Sequence, residues 1–175
     1  MIHTGMISYE YKCVYIHIPK TGGTTIETLF GEKHDHDNQE EIIEKIGMPA
    51  WQSYLKFSIV RNPWDRMVSA YSYVNKPCPF KEWLNKDRTD WFWLIMAKPQ
   101  LDWVKGVDHI IRFENYTKGL QDVCGKLGKD FDKVPRANKS KHGHYSLFYD
   151  DDTIEFVKQM YQKDIDYFEY EFSGV

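Results

Sequence analysis

The chain has 175 residues, of which 42% are hydrophobic, 16% aromatic and 28% charged. These values exclude a disordered or collagen-like chain and allow one domain to bury a core without disulfide or metal staples. The net charge of −3, from 23 basic and 26 acidic residues, disfavours nucleic acid as a partner, because binding a phosphate backbone rests on a positive excess.

In chain order, residues 12–18 are rich in Val, Ile and Tyr and stop at Pro19, the pattern of a buried strand. A Gly-containing turn follows, then a helix over residues 24–30 closed by Gly31. After a polar stretch with two histidines, residues 40–46 form a short helix ending at Gly47. Residues 54–60 give a second strand. Asn62-Pro63-Trp64-Asp65 then reads as a helix start. Asn62 suits the N-cap, Pro63 the first helical position, and Asp65 the positive end of the dipole. This helix is expected to reach residue 73 or 74, before Pro77. Further helices are expected over 80–86, 90–97 and 116–127, the last closed by Gly128. Residues 108–113 form the third strand. A final helix is expected over 152–163, capped by Asp151 or Asp152. Strands separated by helices predict an α/β fold with a mostly parallel sheet.

No linker or internal repeat divides the chain, so a single domain over residues 1–175 is expected. Cys13, Cys78 and Cys124 are odd in number and widely spaced. They match neither a disulfide framework nor a zinc site and fit a reducing compartment. No apolar run approaches the roughly 20 residues of a membrane span, and no signal peptide is evident at the N-terminus. The expectation is a cytoplasmic protein without a membrane partner.

The most informative segment is Ile18-Pro19-Lys20-Thr21-Gly22-Gly23-Thr24-Thr25, between a strand and a helix. Gly22 and Gly23 allow a tight turn and close approach to a ligand. The amides of Gly23, Thr24 and Thr25 would lie at a helix N-terminus, where an anion is favoured. The threonine hydroxyls add donors, and Lys20 adds a mobile positive charge. The bland alternative is a turn that merely needs glycine. The lysine precedes the glycines, so the ATP-binding order G-x-x-x-x-G-K-[ST] is absent and an ordinary kinase or ATPase is disfavoured.

A second constellation spans Arg61 to Tyr71. A strand delivers Arg61 to its C-terminal end, the edge where open α/β sheets bind ligands. Arg66 and Ser69 share a helix face by spacing. A guanidinium and a hydroxyl suit a second phosphate. Here the alternative is a structural arginine at a helix cap and a packed serine.

Together the two segments resemble the sulfotransferases that use 3′-phosphoadenosine 5′-phosphosulfate, most closely the carbohydrate (heparan- and chondroitin-type) branch. His17 to Thr25 reads His-Ile-Pro-Lys-Thr-Gly-Gly-Thr-Thr, as in that branch, and Arg61 to Tyr71 matches its Arg-Asn-Pro-x-Asp-Arg-x-x-Ser-x-Tyr motif. The resemblance continues through Ile110 to Asn115, Asn138-Lys139-Ser140 and Tyr161 to Phe172, departing at Glu169, where the family more often has Gly. It implies a single-domain, P-loop-like, three-layer fold with a mostly parallel central sheet flanked by helices. It implies that Lys20, Thr21, Gly22, Gly23, Thr24 and Thr25 bind the 5′-phosphosulfate, and that Arg61 and Ser69 bind the 3′-phosphate. The product would be adenosine 3′,5′-bisphosphate, the acceptor a carbohydrate-like hydroxyl, and no metal is required.

Sulfuryl transfer needs alignment and charge stabilisation, and Lys20 is the candidate for the leaving oxygen. It also needs a base for the acceptor proton. His34 is preferred and His36 stands second, in the place where related enzymes carry a histidine base. The run Lys33-His34-Asp35-His36-Asp37 could instead be a solvated loop or, less readily, a metal cluster. Residues 129–144 are rich in Lys, Arg and His. Asn138, Lys139 and Lys141 are candidates there for closing over the donor's 3′-phosphate or an acidic acceptor, against the reading of a solvated basic loop. Glu114 stands between a site role and a structural one. Competing readings are a non-sugar acceptor such as a tyrosine or small alcohol, an atypical phosphotransferase, and a nucleotide-binding module without turnover. Animal relatives carry membrane anchors, so a compact bacterial or viral type is expected.

Overall fold

The structure is a computed structural model that describes residues 5–32, 39–74, 78–86, 90–131 and 143–174. In chain order its elements are β1 (Gly5–Ser8), β2 (Cys13–Ile16), α1 (Gly23–Phe30), α2 (Gln39–Ile46), α3 (Met48–Ser53), β3 (Leu55–Val60), α4 (Pro63–Tyr73), α5 (Phe80–Asn85), α6 (Trp91–Ala97), β4 (His109–Arg112), α7 (Tyr116–Leu127), α8 (Asp151–Met160) and α9 (Gln162–Phe168). They belong to two compact units, Met1–Val60 with Trp103–Asn138, and Arg61–Asp102 with Lys139–Val175.

The first unit holds the sheet, in the order β1-β2-β3-β4. β2, β3 and β4 are parallel, with Tyr15 opposite Phe57 and Phe57 opposite His109, and β1 closes one side antiparallel to β2. Every residue of β2 is buried, as is all of β3 after Leu55, which is why both read as continuous apolar runs. The two-residue alternation sorts their side chains onto two faces. Cys13, Tyr15, Phe57, Ile59 and Ile111 pack with Ile26 and Phe30 of α1 and Leu120 and Val123 of α7. Val14 and Ile16 pack on the other face with Ile42 of α2 and Trp51 of α3. The result is three layers, helices on both faces of a mostly parallel sheet, as expected for an α/β fold. The buried Ser58 hydroxyl donates to Ile16 O at 2.7 Å and ties β3 to the end of β2, just before the Gly-rich loop. Lys56, also buried, is neutralised by Asp108 at 2.8 Å and donates to the Trp51 and Tyr54 carbonyls.

The second unit is helical and aromatic. α4 starts as its sequence requires: the Asn62 side chain accepts from the Trp64 and Asp65 amides, with Pro63 in the first turn. Its buried face carries Trp64, Met67, Val68, Ala70 and Tyr71. Tyr149 Oη donates to Trp64 O at 2.8 Å, and Trp64 Nε1 donates to Ile154 O at 3.0 Å, so the aromatic packing also satisfies its polar atoms.

Three expectations change. The final helix does not run over 152–163. Its cap is Asp150, in a reciprocal capping box with Thr153, and it stops at Met160. Tyr161 leaves helical geometry at φ −116°, ψ 25°, and its fully buried hydroxyl bonds the Met96 carbonyl and Met67 Sδ. The chain restarts as α9, so Lys163 belongs to a separate helix. Strand β1 and helix α3 were not expected from the sequence.

Candidate functional site

The loop between β2 and α1 is built by backbone constraints. Lys20 adopts φ 70° and Gly22 φ 92°, both left-handed. Such a conformation costs about 1 kcal/mol or more for a residue with a Cβ, so the turn at Lys20 is imposed by its surroundings. Part of that constraint is visible: the fully buried Thr21 hydroxyl donates to Ile18 O at 2.7 Å, and Thr25 N donates to Gly22 O at 3.1 Å. Lys20 is half-buried, Thr24 exposed and Thr25 buried.

Helix α1 begins at Gly23 with no side-chain cap and no acidic residue in its first turn. Thr25 N turns back to Gly22 O, and no side-chain cap meets the helix end ahead of it, an arrangement that favours an anion. Helix α4 does the opposite and fills its own N-terminus with Asn62 and Asp65.

Contact requires glycine at both positions, and at Gly22 the left-handed conformation requires it too. A Cβ on Gly23 would overlap the His17 imidazole, which stacks on Tyr15 at 5.7 Å between ring centroids. A Cβ on Gly22 would lie 2.9 Å from Tyr116 Cε2 and 3.3 Å from Phe113 Cε2. His17 therefore packs against the loop at Gly23. Tyr116 is a residue the sequence reading missed. Its hydroxyl donates to Gly22 O at 2.7 Å. Burial pushes the phenol up to about 12, partly offset by a hydrogen bond with the Thr25 side chain, so it stays a donor at neutral pH. The two partners are 94 positions apart, too far for any local pattern to reveal.

In the second unit, Arg61 is 6% exposed and its Nε donates to Asp65 Oδ2 at 2.7 Å. The backbone of Arg61 is held by Gln100, whose Oε1 accepts from Arg61 N at 2.9 Å and whose Nε2 donates to Arg61 O at 2.8 Å. Gln100 is fixed in turn by Asp164, which accepts from Gln100 N at 2.7 Å and Leu101 N at 2.9 Å. Burial raises the Asp164 pKa, and those amide bonds act against the rise. Arg66 is fully buried with its guanidinium 5.7 Å from the Tyr161 ring, while Ser69 is half-buried. Burial lowers the Arg66 pKa, with Tyr161 and Asp164 opposing. The four-residue spacing of Arg61 and Asp65 carried a signal for their ion pair; nothing local pointed to Gln100.

Glu114 is exposed, in a short 3-10 turn between β4 and α7. His34, His36, Asn138, Lys139 and Lys141 lie outside the described residues, as does the His/Asp run read as a possible metal cluster. Among the described residues no group of three or more His, Cys, Asp or Glu side chains is placed to hold a metal ion, and no helix is long and apolar enough to cross a membrane.

A sequence model of the sulfotransferase family matches residues 3–171. No curated protein matches. The structure is similar to a crystal structure of a sulfotransferase from Alicyclobacillus acidocaldarius, at 16% identity and a TM-score of 0.47, covering 76% of this chain and 60% of that one. The chain thus spans less than two thirds of that protein's length. With a family match across nearly its whole length, the chain belongs to the sulfotransferase family.

Proposed function

We propose that residues 1–175 form one domain and transfer a sulfuryl group from 3′-phosphoadenosine 5′-phosphosulfate to a hydroxyl of a carbohydrate-like acceptor. One observation carries the donor reading: a left-handed lysine and two glycines lead into a helix whose first amides no side chain caps. An open helix N-terminus with Lys20 beside it fits an anionic phosphosulfate, and Tyr116 and His17, packed where a Cβ would lie on Gly22 and Gly23, hold the turn that presents it. The carbohydrate acceptor rests on the motif resemblance of His17–Thr25 and Arg61–Tyr71 to that branch of the family.

When bound, the donor supplies the sulfuryl group and the phosphate oxygen that departs. The amides of Gly23 and Thr24, with the exposed Thr24 hydroxyl, bind its 5′ end, while Thr21, Gly22 and Thr25 hold the loop in shape around it. Lys20 neutralises negative charge at the departing oxygen. Arg61 and Ser69 bind a 3′-phosphate, assisted by Asn138, Lys139 and Lys141. His34, with His36 as second choice, accepts the proton of the acceptor hydroxyl. No step assigned to these residues calls for a metal ion.

Adenosine 3′,5′-bisphosphate tests the donor reading. At about a hundredfold excess over its Kd it should raise the melting temperature by about 5–10 °C. No shift at saturating concentration refutes the reading. Transfer from labelled donor to a panel of glycans, phenols and small alcohols then identifies the acceptor, and Lys20→Ala should abolish transfer to any of them.

A further inference from the structure

The Gly22 carbonyl is the turning point of the loop. It accepts from Thr25 N at 3.1 Å and from Tyr116 Oη at 2.7 Å, so both of its acceptor sites are used inside the protein. A trans peptide is planar, with its C=O and N–H pointing in opposite directions. Holding the Gly22 oxygen against Tyr116 therefore aims the Gly23 N–H the other way, out of the loop. It also keeps a carbonyl, whose dipole would repel an anion, turned away from the open helix end. The Tyr116 ring packs against the space over Gly22, so rotation of that peptide would have to displace it. The same phenol bonds the Thr25 side chain, which joins the N-cap and the first turn of α1 through one residue.

We propose that Tyr116 is a positioning residue for sulfate-donor binding, its hydroxyl holding the Gly22 peptide so that the first amides of α1 face the anion. This rests on the donor site proposed above. Tyr116 touches no reacting atom; it acts through the backbone of Gly22.

The test is Tyr116→Phe, which keeps the ring and removes only the hydroxyl. Three quantities are read: the melting temperature without ligand, the Kd of adenosine 3′,5′-bisphosphate, and exchange of the Thr25 amide, which shares the Gly22 carbonyl. The expected result is a Kd raised about fivefold, the loss of one neutral hydrogen bond, with ligand-free melting within about 2 °C of the parent. In turnover the KM for donor should rise by a similar factor while the acceptor KM stays constant. An unchanged Kd overturns the proposal. A variant that fails to fold also overturns it, since the hydroxyl would then hold the fold instead of the loop. If the parent protein does not bind the bisphosphate, the donor reading fails separately. Thr25 exchange in the ligand-free protein then decides the anchor: a rise of about fivefold supports it and unchanged exchange overturns it.

Discussion

Gln100 grips the backbone of Arg61 at both polar groups, accepting from its N–H at 2.9 Å and donating to its C=O at 2.8 Å, although 39 positions separate them. All three residues of the relay are buried, Gln100 and Asp164 completely. The side chain of Gln100 thus does for Arg61 what a neighbouring strand would do. Arg61 follows the last residue of β3, and at that point the Gln100 side chain supplies its backbone partners.

Gln100→Ala should cost about 2–4 kcal/mol, because a buried N–H and C=O lose their partner together. Urea unfolding of the variant measures it. A loss below about 1 kcal/mol would mean that the Arg61 backbone finds water or another partner, and that the clamp contributes little.

Arg61→Lys keeps the charge but gives up the Nε donor that meets Asp65 at 2.7 Å. A lysine has no planar fork and stands free of that orientation. Bisphosphate affinity should fall about tenfold, and the Kd of Arg61→Ala should rise further. Calorimetric titration separates them; equal affinity in parent and Arg61→Lys would remove Arg61 from the 3′-phosphate site.

Much of this organisation is legible in the sequence where local chemistry decides it. Helix α4 is written in Asn62, Pro63 and Asp65; α1 and α7 are closed by Gly31 and Gly128, both left-handed at φ 71° and 64°. The loop at Lys20–Thr25 is legible because its residue types have few other uses together. What escapes is long-range. Tyr161 ends α8 because its hydroxyl reaches the Met96 carbonyl, 65 positions away, and no Gly or Pro marks the break. Strand β1 is four residues long, too short to show an alternation. Tyr116 and Gln100 hold Gly22 and Arg61, residues of the candidate site, through contacts that no spacing rule connects.

Gly23→Ala should destabilise the protein by about 1–3 kcal/mol, because the new methyl overlaps the His17 ring. The cost has a specific signature. In a His17→Ala background the obstacle is gone, and the same substitution should cost less than half as much. A double-mutant cycle by denaturant unfolding measures the coupling. Additive effects would show that the cost of the methyl does not arise from His17.

Acid stability should carry the mark of the α8 cap. Asp150 accepts from Thr153 N at 2.9 Å and pairs with Lys81 Nζ at 2.9 Å. These bonds, Lys81 first, hold its carboxyl at about 2 in the fold against an ordinary value of 3.8. A lowered folded pKa contributes stability that is fully present above the unfolded value and lost as pH falls through the folded one. The contribution should therefore disappear across the window from about pH 4 to about pH 2. Asp150→Asn retains an acceptor for the Thr153 amide but cannot titrate. Its melting temperature should lie below that of the parent near pH 6 and converge with it as pH approaches about 2. Since the Lys81 partner is solvent-exposed, the gap should also narrow at about 1 M salt. Parallel melting curves for the two proteins across that window would show that Asp150 is not the group whose protonation loosens the start of α8.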